Sequence, residues 1–139
     1  MKYYRVILGK KSIYAEECFA GNFVGVDFGI TEDLTHNLPE EWRTFNQEFI
    51  PIYLKKHPDK TKIGAGLCCG ALWTVAKGIK NGDSVLCADG SGHYRVGEVI
   101  GDYTYRQGET LPHRRPVCWL NQIINRSDMS ETLKSVLGA

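Results

Sequence analysis

Hydrophobic and polar positions follow two different periods along the chain. From Tyr3 to Leu8, YYRVIL is rich in aromatic and β-branched residues and reads as a first strand, which Gly9 ends. KKSIYAEECFA then reads as a helix. Ser12 is its expected cap, and Glu16 and Glu17 fall in the early turns, where the helix dipole favours anions. Gly21-Asn22 stops it. FVGVDFGI reads as a second strand; Gly25 and Gly29 in or beside it signal a bulge or close backbone approach. After a polar stretch from Thr31 to Pro39, Trp42, Phe45, Phe49 and Ile52 recur at helical spacing. PEEWRTFNQEFIPIYLKK is therefore an amphipathic helix, with Pro39 in its first turn and Pro51 expected to kink or end it. HPDKTKIG is a basic loop, and AGLCCGALWTVAKGI is a second long helix, apolar in front. Asn81-Gly82-Asp83 is a turn. SVLCA and HYRVGEVI read as two strands joined by the glycine turn DGSG. PVCWL is a further strand, and Asp128 with Glu131 caps a last helix over SETLKSVL.

The order is strand, helix, strand, two helices, three or more strands, helix. Strands and helices do not alternate regularly, which disfavours a doubly wound parallel sheet. An α+β fold is expected: a small twisted sheet curled into a partial barrel, with helices packed outside. No linker, repeat or low-complexity segment divides the 139 residues, so residues 1–139 read as one domain.

Composition narrows the classes. Hydrophobic residues make up 42% and charged residues 24%, as in ordinary globular proteins, and no apolar run approaches a membrane span. The start, MKYYRVILGKK, lacks a signal-peptide apolar region, so the expected location is cytoplasmic. The 5 cysteines are odd in number and no pair is spaced CxxC, which argues against a disulfide framework and a zinc site. They read as small buried thiols. A net charge of +1 argues against binding nucleic acid by bulk charge. The cations are nevertheless clustered at Lys10-Lys11, at Lys55, Lys56, Lys60 and Lys62, and at Arg114-Arg115, and phosphate contacts need only a few well-placed cations.

Catalytic patterns are not found. HPDKTK supplies Asp59, but no downstream ExK or DxK completes a metal-dependent nuclease set. Cys68, Cys69 and Cys118 have apolar surroundings, which raise a thiol pKa and make it inert. His36, His57, His93 and His113 have no ligand-like spacing. There is no Walker loop and no GxGxxG, and the GSG at Gly90 to Gly92 is a turn. The expectation is a binding module, not an enzyme, with no cofactor and no metal.

What remains is aromatic and polar binding. GSGHYRVGEVIGDYTYR followed by HRRPVCWLNQIINRSDMSETL resembles the final half of PUA-like domains of the EVE and YTH type. RVILGKKSIYAEE and NFVGVDF resemble the opening strand, loop, helix and second strand of the same family, so the resemblance covers nearly the whole chain. It is nearest to the EVE-like modules that begin bacterial modification-dependent restriction proteins. The resemblance implies binding to double-stranded DNA, a modified base flipped from the stack into a pocket, and a nuclease domain C-terminal to this one in a longer protein.

The same resemblance places the pocket walls. They are Lys11, Ser12 and Tyr14 in the loop after the first strand; Gly25, Asp27 and Phe28 on the second; and Tyr103 and Tyr105 in the late loop. Trp73, in the apolar helix, is either core or a further wall. Lys10, Lys11, Arg114 and Arg115 are the expected phosphate contacts, with one arginine pairing an acid such as Asp102 or Glu109. Phe28 is either core or wall. Asp27, flanked by apolar residues, needs a partner: a base amine or a backbone amide. The YTH family carries a Trp where this chain has Gly25, and a late-loop Trp where this chain offers tyrosines. The expected ligand is therefore methylated or hydroxymethylated cytosine, with methyladenine second. Two alternatives stand beside this one. An ASCH-type hydrolase of a modified nucleoside would carry Gly-x-Lys-x-x-Glu-x-Arg; Gly9 and Lys11 match, but Ile13 and Tyr14 stand where a Glu is wanted. An RNA-reading PUA-like module is the other.

Overall fold

A computed structural model describes residues 2–128. The described residues form three α-helices and one curled, mixed six-stranded sheet that makes a half-barrel. The strands are β1 (Tyr3–Arg5), β2 (Phe23–Val26), β3 (Ser84–Ala88), β4 (His93–Val99), β5 (Thr104–Tyr105) and β6 (His113–Asn125). The helices are α1 (Ala15–Gly21), α2 (Trp42–Lys56) and α3 (Lys62–Trp73), and α3 runs on into one π-helical turn, Thr74–Gly78. The strand order is β1-β3-β4-β6-β2, with β5 beside β6. β1 pairs β3 in parallel, and the other pairings are antiparallel.

β6 makes the curl. Residues from Val117 onward pair with β4, whereas His113 to Pro116 pair with β2. Pro116, which has no N–H to give, sits where the strand changes partners. The late arginines are thus strand residues, not loop residues. Gly97 lies opposite Trp119 next to a bulge in β4; a side chain there would strike the Trp119 ring. Trp119 is tied in place by its Nε1–H donating to the Cys18 carbonyl at 3.1 Å and by an edge contact to Phe19.

Alternation along β3 follows the period of two. Val85 and Cys87 join the main core, while Leu86 joins Tyr94 in a small cluster on the other face. The main core lies inside the curl, where Phe45, Phe49 and Leu72 of α2 and α3 meet Val24, Val85 and Val117 of the sheet. Burial pushes the Cys18 thiol up to about 12 and Cys69 up to about 11, and raises Cys87 as well. These three thiols are core, as the sequence implied, whereas Cys68 is half-buried and Cys118 is exposed.

Several local expectations are corrected. Ser12 does not cap α1: it lies in a 3-10 turn with φ 59, and the helix begins at Ala15 without a side-chain cap. β2 ends at Val26, so Asp27 and Phe28 form the turn after it. Pro51 neither ends nor breaks α2, which runs on to Lys56. Asn22, at φ 58, ends α1 in a left-handed cap, and the Thr61 hydroxyl caps α3 by accepting from Gly64 N at 3.0 Å. The expected helix over SETLKSVL lies outside the described residues. Among those described, no helix is long and apolar enough to cross a membrane.

Candidate functional site

Three loops converge where β1 and β2 end and β6 begins. The first carries Ile7, Gly9 and Tyr14; the second leaves β2 through Val26, Asp27 and Phe28; the third precedes β6 and carries Gly108 to Leu111. They enclose a cleft of about 460 Å³. That is ample for one flat ring and its substituents.

The backbone around the cleft is strained. Lys11 (φ 57), Ser12 (φ 59), Phe28 (φ 57) and Leu111 (φ 47) all lie in these loops in the left-handed region, together with Gly9, Gly29 and Gly108. A left-handed phenylalanine or leucine is an outlier, costing of order 1–3 kcal/mol. Such residues persist where the surroundings over-determine them, and they cluster at binding sites. Asn22, the remaining non-glycine example among the described residues, is an ordinary helix cap.

Each wall has a physical support. Gly9 has no side chain because the Tyr14 ring packs against its Cα. Gly25 is buried behind the cleft; a Cβ there would lie 2.7 Å from the Leu111 carbonyl oxygen. Asp27 is exposed, and its Oδ1 accepts from Gly29 N at 3.1 Å, closing the turn. Its other oxygen has no protein partner among the described residues and remains available to a ligand. The dull and the functional expectations for Asp27 are thus compatible, one for each oxygen. Tyr14 is 37% exposed and Phe28 half-buried, so each presents ring surface to the cleft.

Arg114 braces the third loop. Its Nε donates to Leu111 O at 3.0 Å and its Nη2 to Thr110 O at 2.6 Å, and Nη1 lies 3.8 Å from Glu109. The guanidinium stacks 3.9 Å from the Phe23 ring centroid. The expected phosphate role of Arg114 is corrected: its donors hold the cleft wall.

Arg115 is corrected more strongly. It is 4% exposed, and its guanidinium donates to the carbonyls of Gly101, Val75 and Ile79 and to Asn81 Oδ1, at 2.6–3.1 Å. No carboxylate lies in ion-pair contact with it among the described residues. The carbonyls at the C-terminal end of α3 and its π turn supply the compensating negative potential. Burial lowers its pKa, yet arginine stays charged.

Tyr103 and Tyr105 do not line the cleft. Tyr103 is 9% exposed, and its hydroxyl accepts from Leu34 N at 3.1 Å and meets His113 Nδ1 at 2.7 Å. His113 is wholly buried, and its Nε2 lies 2.6 Å from Ile30 O. The consistent assignment has Nε2–H donating to Ile30 O and Nδ1 accepting from the tyrosine hydroxyl. Burial lowers the His113 pKa and pushes Tyr103 up to about 12, so both groups are neutral. The trio pins the segment after β2 onto β6. Tyr105 packs its ring 5.0 Å from His113. The expectation of a wall at Tyr103 and Tyr105 therefore gives way to a buried polar trio that joins β6 to the segment after β2.

Trp73 is likewise remote from the cleft: its Nε1–H donates to Pro39 O at 2.8 Å, tying α3 to the start of α2. Ser12 faces the β3–β4 turn, where it lies near Gly90. Lys10 and Lys11 are exposed in the turn between Gly9 and Tyr14, on the cleft rim. Lys56 reaches the segment after Phe28, where its Nζ donates to Gly29 O at 2.9 Å and to Thr31 Oγ1 at 3.3 Å. Of the expected wall residues, the structure thus brings together Tyr14, Asp27 and Phe28. The sequence reasoning missed Gly108 to Leu111, although the QGET turn before a strand was the available signal.

Tyr103 and Arg115 border a separate polar cleft of about 400 Å³, shared with Lys77, Lys80 and Asp102. Among the described residues, no group of three or more His, Cys, Asp or Glu is placed to hold a metal ion. Searches of curated proteins and of solved structures gave no match. The family model for a domain of unknown function, DUF8426, matches residues 4–136, nearly the whole chain, and the chain belongs to that family.

Proposed function

We propose that this domain reads a modified base in double-stranded DNA, on a PUA-like scaffold of the EVE type. The flipped base enters the cleft between Tyr14 and Phe28, and methylated or hydroxymethylated cytosine is the preferred ligand. The observation that carries the reading is the strained, three-loop cleft itself. It presents two aromatic rings and a carboxylate oxygen with no protein partner among the described residues, and exposed Lys10 and Lys11 stand in the turn between its lining residues Gly9 and Tyr14.

The chemistry is matched to a base more than to a phosphate. Asp27 and Glu109 make the interior acidic, which repels phosphate and suits an exocyclic amine. A carboxylate accepts from cytosine N4. Stacking on an aromatic ring supplies roughly 1–3 kcal/mol per base, which offsets an unstacking cost of a few kcal/mol. The phosphates on either side of the flipped nucleotide meet the lysines of the rim. Catalysis is assigned to no residue of this chain; a nuclease elsewhere in a longer protein would do the cutting.

The test compares binding of matched duplexes carrying one modified or one plain cytosine by the parent, Asp27→Ala and Tyr14→Ala. Both substitutions are at exposed side chains, so the fold is retained. Each narrows the gap between modified and plain DNA if the cleft is the pocket. A gap unchanged in both variants places the pocket elsewhere.

A further inference from the structure

We infer that the bases accepted by the cleft extend to cytosine whose 5-position carries an apolar group longer than methyl. The far end of that group enters an apolar slot next to the cleft. The inference rests on the proposed reading of the cleft and adds a second compartment to it.

The slot lies in the seam of the half-barrel. β1 and β2 stand at the two ends of the strand order and do not pair with each other. Tyr4 and Val6 line the slot from the β1 side and Val26 from β2, while Ala71 of α3, Val75 of the π-helical turn and Ile79 close it behind. Single π-helical turns within a helix occur often at functional sites. The space is about 250 Å³. Protein interiors hold few voids larger than a water molecule. An engineered apolar cavity of about 150 Å³ stays dry and binds benzene.

The slot and the cleft share a wall. Ile7, Val26 and Phe28 line both. A base stacked on Phe28 keeps its substituents in the plane of its own ring. A group that projects past the edge of the Phe28 ring therefore reaches the shared border.

The lining selects hydrocarbon. Thr74 gives its hydroxyl proton to Gly70 O at 2.8 Å, and Arg5, the charged lining residue, is exposed. The remaining side chains of the slot are aliphatic or aromatic. A polar group that enters without a partner is unfavourable there, whereas each buried methylene is favourable.

The test titrates duplexes that carry one plain, 5-methyl, 5-hydroxymethyl or 5-propynyl cytosine, at one salt concentration, with the parent and with Ala71→Phe. Ala71 is exposed and lines the slot but not the cleft, so a larger side chain there fills the slot and spares the cleft. Ala71→Leu is the second variant. The preference for propynyl over methyl is at least about fourfold larger in the parent than in Ala71→Phe. The stacking of the propynyl group within the duplex cancels in that comparison. Both variants keep the parent's preference for methyl over plain. Benzene supplies a readout without DNA: it shifts the methyl NMR signals of Val6 and Val75 saturably in the parent and not in Ala71→Phe. A propynyl preference that both Ala71 variants leave unchanged, with methyl still preferred over plain, overturns the inference and leaves the reading of the cleft standing. So does benzene that leaves the valine signals of the parent unmoved. Equal binding of all four duplexes by the parent overturns the reading of the cleft, and the inference with it.

Discussion

Replacing Arg115 by methionine keeps the apolar stem of the side chain and removes every donor. The guanidinium now satisfies the buried carbonyls of Val75 and Ile79 through Nη1, at 3.1 and 2.6 Å, and that of Gly101 through Nε at 2.8 Å. A buried acceptor left without a partner costs about 1–3 kcal/mol. The Val75 and Ile79 carbonyls alone thus account for roughly 2–6 kcal/mol, and the expected loss is about 4 kcal/mol. Total stability for a domain of this kind is about 5–15 kcal/mol, so the variant is folded but marginal. Urea unfolding followed by tryptophan fluorescence measures the loss directly, because Trp73 and Trp119 both belong to packed structure. A loss below about 0.5 kcal/mol is what a surface arginine gives, and it would refute the buried role. In that case weakened DNA binding with unchanged stability would return Arg115 to the phosphate contacts.

Two further outcomes test other parts of the structure. Gly25→Ala places a methyl group 2.7 Å from the Leu111 carbonyl, so it should push the 108–111 loop outward at a cost of about 1–3 kcal/mol and weaken ligand binding; equal stability and binding in calorimetry would contradict the close approach. His113 has a folded pKa below its ordinary value of 6.5, so the unfolded chain binds more protons near and below that pH. The stability contributed by neutral His113 is therefore fully present above about pH 6.5 and declines as the pH falls from there toward the lower folded pKa. Unfolding free energies across that window should fall more steeply for the parent than for His113→Gln, and parallel profiles would remove His113 as the cause.

Much of the fold was legible because periodicity reports burial. Phe45 and Phe49, both buried, placed α2 by their helical spacing, although Trp42 in the same pattern is half-exposed, and the glycine turn DGSG between SVLCA and HYRVGEVI placed β3 and β4. Pro51 misled because its effect depends on what surrounds it: exposed on the outer face of α2, it gives up one backbone bond without breaking the helix. The site was only partly legible. Tyr14, Asp27 and Phe28 were named through the resemblance to EVE- and YTH-type domains, not through periodicity or spacing. Tyr103 and Arg115 were misplaced because an aromatic or a guanidinium has the same letter whether it faces solvent or satisfies a buried group. The partners of Arg115 are main-chain carbonyls from Val75, Ile79 and Gly101, and a carbonyl leaves no mark in sequence. The left-handed conformations of Phe28 and Leu111 are equally silent, since neither residue type favours that region.

The central claim is that the cleft between Tyr14 and Phe28 distinguishes a modified base from its plain counterpart. The measurement that tests it most directly is the ratio of dissociation constants for two duplexes that differ only at one cytosine, plain or 5-methylated. They are compared at one salt concentration, because phosphate contacts contribute equally to both. Burying one methyl group contributes about 0.8 kcal/mol, which corresponds to roughly fourfold tighter binding. The account expects a preference of at least that size for methylated or hydroxymethylated cytosine. Equal affinity for plain, methylated and hydroxymethylated duplexes would contradict it.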